Sequence, residues 1–104
     1  MAWEKFILTA DGKMVPEPDM MKWSEWYHTA PERIIGKTDV AGRRVSTVFL
    51  GMDNSFGFLE TPQFFETMVF GENGDGGEEQ RYATLEEAKA GHEAMVAKLK
   101  AQLQ

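Results

Sequence analysis

RRVSTVFLGMDNSFGFLETPQFFETMVFG, running from Arg43 to Gly71, is the stretch whose reading decides the fold. Two apolar runs, RRVSTVFLGM and FFETMVFG, flank a connection rich in Asp, Asn, Gly and Phe. Each run is shorter than an ordinary helix and rich in Val, Phe and Thr, so both read as strands, paired antiparallel at the centre of the molecule. Alternation places Val45, Thr47 and Phe49 on one face of the first strand and Ser46, Val48 and Leu50 on the other. In the second, Phe64, Glu66, Met68 and Phe70 share a face, and Phe65, Thr67 and Val69 its reverse. Neither strand has one wholly apolar and one wholly polar face, which predicts interior strands with most of both surfaces covered.

Upstream, Trp3 to Thr9 reads as a strand, followed by Asp11-Gly12, a dipeptide suited to the positive φ angles of a tight hairpin turn. Met14 and Val15 form a short return strand that Pro16 and Pro18 end, because each removes a backbone donor and restricts the residue before it. Asp19 then caps a helix starting at Met20, whose stripe of Met20, Trp23, Tyr27 and Ala30 faces inward with Trp26 to one side. Pro31 closes that helix. Arg33 to Asp39 reads as a third strand interrupted by Gly36, and Ala41-Gly42 as the turn into the central pair.

Downstream, GENGDGGEEQ is a polar, glycine-rich connection with no apolar anchor, expected to be mobile. Arg81 to Ala83 adds an edge strand. Thr84 followed three residues later by Glu87 is a capping box. The helix after it buries Leu85, Ala88, His92, Met95, Val96, Leu99 and Leu103 and wets Glu86, Glu87, Lys89, Glu93, Lys98 and Lys100. The order β-β-α-β-β-β-β-α makes residues 1–104 a single α+β domain: an antiparallel sheet of four to five strands with two helices packed on it, most simply on one face.

The chain has 104 residues, no cysteine and a formal charge of −6. Disulfides, thiolate metal sites and thiol nucleophiles are therefore excluded. The N-terminus lacks the long apolar run of a signal peptide and no segment approaches the ~20 apolar residues that span a bilayer, so a cytoplasmic protein is expected. Glu72, Asp75, Glu78 and Glu79 concentrate acid within eight residues. The only adjacent basic pair is Arg43-Arg44, which argues against direct nucleic-acid binding.

For chemistry, no G-x-S-x-G elbow presents a serine. His92 falls on an apolar helical stripe, where a histidine hydrogen-bonded to a neighbouring strand is the favoured reading. Glu66 sits within a core strand, where a carboxylate is costly unless paired, so either that face is open to solvent or Arg81, Arg43 or Arg44 meets it. Asp53, Glu66, Arg81 and His92 form the candidate polar cluster, and Asp53, Glu66 and His92 would suit a carboxylate–imidazole metal site, although no spacing specifies one. The acidic tract does not match the calcium-loop pattern. No metal and no other cofactor is expected. The connection Asp53–Phe65 is unusually aromatic: it is either a lid on the core or a partner patch presenting Phe56 and Phe58, and Trp26 raises the same question on the first helix.

With these residues in place, the chain resembles a family of small uncharacterised proteins encoded by bacteriophages and prophages. The similarity lies in VSTVFLGMD at Val45 to Asp53, FETMVFG at Phe65 to Gly71, and RYAT, EEA and GHE between Arg81 and Glu93, with a weaker echo in PEPD and W-x-x-W between Pro16 and Trp26. The family favours Asp-His where this chain has Asp53-Asn54. The resemblance implies a phage-related origin and carries over no reaction. The expectation is a non-enzymatic accessory protein that binds a host protein, such as a component of antiviral defence, with the acids at 72, 75, 78 and 79 standing in for nucleic-acid phosphates. The alternatives are a self-associating virion or assembly protein and a small metal-dependent enzyme using Asp53, Glu66 and His92.

Overall fold

The computed structural model describes residues 4–53, 61–74 and 76–103. Six strands and two helices follow one another as β1 (Phe6–Leu8), β2 (Met14–Pro16), α1 (Met20–Thr29), β3 (Ile34–Val40), β4 (Arg43–Phe49), β5 (Phe65–Phe70), β6 (Gly76–Tyr82) and α2 (Leu85–Ala101). The architecture is α+β, in the order the sequence predicts. β3-β4-β5-β6 form an antiparallel sheet in which each strand pairs with its sequence neighbour, while β1-β2 are a separate two-stranded ribbon. The Phe6 amide donates to the Gly51 carbonyl and so ties the ribbon to the end of β4.

The central pair is β4 and β5, in register from Arg44–Phe70 to Phe49–Phe65. Their burial alternates strictly: Val45, Thr47 and Phe49, and Phe65, Thr67 and Val69, are buried, while the residues between them are half-buried or exposed. The pair is interior as expected, but only one of its faces is sealed from water. α2 contacts all four strands from one side. On the reverse, Ser46, Val48, Met68 and Phe70 keep partial contact with water; their mixed character suits a half-open face with one polar or charged residue in most cross-strand rows. α1 joins from the covered side, where the Trp26 ring meets Phe49 edge-on, centroids 5.9 Å apart.

Local signals set the element ends. Asp19 accepts from the amides of Met21 and Lys22 and caps α1. Thr84 and Glu87 make the full capping box of α2. Ala88, His92, Val96 and Leu99 are the buried stripe of α2, but Leu103 lies past the helix end and is 62% exposed. Met20, expected inward, is 59% exposed; α1 turns its aromatic residues to the core instead. The β1–β2 turn places only Gly12 at positive φ, with the Gly12 amide donating to the Thr9 carbonyl. That is a type I turn closed by a glycine, not a two-residue hairpin on Asp11-Gly12.

The largest correction is β6. The tract expected as a mobile connection supplies most of a seven-residue edge strand, paired to β5 with a register shift between Met68 and Phe70. An edge strand can be held by backbone hydrogen bonds alone, so its side chains need not be apolar. Six of its seven residues are exposed.

Candidate functional site

Four strands and α2 converge on a buried chain of hydroxyls and one imidazole. Alternation aims Thr38, Thr47, Thr67 and Tyr82, one from each strand, at the helix-covered side, and the α2 stripe brings His92 down among them. His92 Nε2 lies 2.9 Å from the Thr38 hydroxyl and Nδ1 lies 2.7 Å from that of Thr47. The Thr47 and Thr67 hydroxyls are 2.6 Å apart, and Tyr82 donates to Thr67 at 3.1 Å. Thr47 and Thr67 are fully buried and His92 is 5% exposed.

One orientation of the hydroxyl protons uses them along the whole chain. Tyr82 donates to Thr67, Thr67 to Thr47 and Thr47 to His92 Nδ1, which leaves the ring proton on Nε2, donated to Thr38. The reverse order at Thr47 would make Thr67 accept twice and leave its own proton without a partner in the chain, in a site closed to water. Unidirectional chains of this kind also polarise one another favourably. Gly36, which looked like a weakness in β3, makes room for the ring: a Cβ there would stand 3.0 Å from the imidazole. His92 therefore has the strand-bonded structural role expected for it.

The rest of the predicted polar cluster is dispersed. Glu66 lies on the opposite sheet face from His92, because it falls between Phe65 and Thr67 on β5. Its carboxylate accepts from Arg81 Nε at 3.0 Å, so of the three arginines the sequence offered it is Arg81 that meets Glu66. Asp53 accepts from the Gln63 amide at 2.9 Å, joining the chain on either side of residues 54–62. Asp53, Glu66 and His92 thus do not converge as a metal site requires, and no group of three potential ligands among the described residues is arranged to hold a metal.

The acidic residues divide likewise. Glu78 and Glu79 are neighbours on β6 and point to opposite faces. Glu78 takes Lys98 of α2 at 2.7 Å, and Glu79 lies 4.0 Å from Arg81. Glu72 lies in the β5–β6 turn, its side chain over Gly42. Asp75, Phe56 and Phe58 lie outside the described residues. Tertiary contacts supply Glu78 with the basic partner that its own stretch of chain lacks.

The aromatic surplus is drawn into packing. Trp26, a candidate for a partner surface, is half-buried and packs against the core cluster of Leu8, Phe49, Phe65 and Ala88, with part of its surface left exposed. Trp23 donates from its indole nitrogen to the Phe6 carbonyl at 2.9 Å and stacks on Tyr27, over which Arg33 sits at 4.7 Å. Phe64 packs edge-on to Phe6.

Of the shallow grooves among the described residues, two flank the four-stranded sheet. One, of about 480 Å3, lies at the turn end of the open sheet face between Lys37, Arg44, Ser46 and Phe70. Its cations are offset by Asp39, which pairs with Arg44 at 3.2 Å, and by Glu72 on its wall. The second, of about 350 Å3, runs between β6 and α2. Sequence reasoning missed it, because it exists only where an unrecognised strand passes a helix.

No family model matches the sequence, and comparison with curated proteins and with solved structures finds no match. Among the described residues no helix is long and apolar enough to cross a membrane.

Proposed function

We propose that the chain is a small accessory protein of phage or prophage origin that acts in the bacterial cytoplasm by binding a host protein, with a component of antiviral defence as the target class. The observation that carries this reading is the exposed β6 edge: Gly76 to Arg81 are all exposed at the rim of the sheet, with Glu78 and Glu79 among them. An open edge is a surface that natural proteins ordinarily blunt or use. The motif resemblance supplies the phage origin. Phosphate mimicry by four acids acting together is the less favoured mechanism, since Glu78 and Glu79 point apart.

The test is to express the tagged chain in a bacterial host carrying a defence system. Restored plating of a restricted phage, with one host protein co-purifying and released as salt rises, is the expected result. Restriction unchanged with no stoichiometric partner would overturn the reading. A self-associating virion or assembly component is the second reading, favoured by exposed Val15, Met20 and Met21 at 40, 59 and 79%. Sedimentation at micromolar concentration separates the two, because self-assembly predicts an oligomer.

A further inference from the structure

We infer that β6 and the groove beside it form a strand-addition site for an extended partner segment that alternates apolar and basic side chains. The inference deepens the partner-binding reading and rests on it. β6 is the terminal strand of the sheet, so the backbone edge turned away from β5 has no strand beside it among the described residues. A strand laid along that edge would place every second side chain on the helix side. There the groove is lined by Tyr82 of β6 and by Gly91, Ala94 and Met95 of α2, with the Glu78–Lys98 ion pair at its far end.

Small residues shape this groove, Gly91 by admitting the Tyr82 ring against α2 and Ala94 by leaving the space beyond it open. Gly91 lies so close to Tyr82 that a Cβ would overlap its ring, and Ala94 projects only a methyl. Most of the lining surface is apolar, with Gln80 the polar residue between Tyr82 and Glu78, which suits aliphatic side chains. The alternate side chains of the incoming strand face the other way, toward the open side of the sheet where Glu79 and Glu66 lie beside Arg81. Lysine or arginine at those positions complements the acids. Pairing of β6 with a second copy of itself would instead set Glu78 and Glu79 near their counterparts, between chains that each carry −6. Like charges brought together across strands are destabilising, so the charge pattern selects a basic partner over a second copy.

The probe is a synthetic peptide of eight residues alternating lysine and valine, titrated into the full chain by NMR. The expected result is saturable binding, with slowed amide exchange along β6 and shifts at Ala94 and Met95. A peptide of identical sequence but N-methylated at alternate residues keeps its charge and loses half its backbone donors. One of its two N-methylation registers is expected to weaken binding about tenfold or more, which corresponds to ~1.4 kcal/mol. Ala94→Arg, an exposed helical position, fills the groove and is expected to weaken the unmodified peptide similarly. Equal binding of parent and both N-methylated peptides would reduce the interaction to charge attraction and overturn the inference. So would a dimer that Ala94→Arg dissociates, which would make a second copy the occupant. Loss of peptide binding alongside an intact host-protein complex would sink the strand-addition mode and leave the partner-binding reading standing.

Discussion

Replacing Thr47 by Val tests the buried chain at its centre. The Thr47 hydroxyl holds two contacts, to Thr67 and to His92 Nδ1, in a fully buried position. Valine has nearly the same shape, so packing is conserved and the hydroxyl alone is lost. Thr67 still accepts from Tyr82, but its own proton loses its acceptor and His92 Nδ1 loses its donor, in a site water does not enter. Orphaning a buried polar group costs ~1–3 kcal/mol. The added methyl recovers at most ~0.8 kcal/mol, so with two groups orphaned the net loss is at least about 1–2 kcal/mol. With a urea m-value of about 1.5 kcal/mol/M for a small chain, the unfolding midpoint should fall by roughly 1 M. Combining Thr47→Val with His92→Leu removes both partners of that bond, so the double variant should be less unstable than the two single losses added, by about 0.5–2 kcal/mol. Ser46→Ala, one residue away on the open face, should stay within ~0.5 kcal/mol of the parent. Nitrogen-15 NMR at neutral pH should find the His92 ring proton on Nε2. A Thr47→Val midpoint equal to the parent's, or a neutral ring protonated at Nδ1, would refute the chain and its direction.

Three further outcomes follow from single contacts. Gly91→Ala in an ordinary helix interior gains about 1 kcal/mol, yet here it should destabilise by calorimetry, since the new Cβ would overlap Tyr82 and break its bond to Thr67. Ala41→Asn should stabilise by about 0.5–1 kcal/mol in chemical denaturation, because Ala41 holds φ 49 in the β3–β4 turn and asparagine tolerates that conformation better. Thr84→Ala should cost ~1 kcal/mol and fray the first turn of α2, visible as faster amide exchange near Glu87, through loss of the capping hydroxyl.

Some of this molecule is written locally. Alternation in VSTVF and FETMVF gave the central strands and sorted their residues by face, without saying which face lies inward, because neighbouring residues on a strand must face opposite ways whatever lies around them. Asp19 and the Thr84/Glu87 pair marked helix starts for the same kind of reason: a cap satisfies amides a few residues along. Glu66 within a strand pointed to a basic partner or an open face, and Arg81, one strand over, is the partner. That one face of β4 and β5 is sealed and the other only half-buried was not legible, because composition cannot say how many layers lie over a sheet.

The sequence by itself determined the element order, the helix caps and the role of His92 as a bonded core histidine, since each follows from spacing along the chain. Tertiary structure alone decided that Gly76–Gln80 becomes a strand. Its stability comes from backbone pairing with β5, to which its side chains give no clue. The same applies to the Thr38–His92–Thr47–Thr67–Tyr82 chain and to the parting of Glu66 from His92: residues far apart in sequence meet, or are held apart by the thickness of a sheet, only once four strands pair and a helix crosses them.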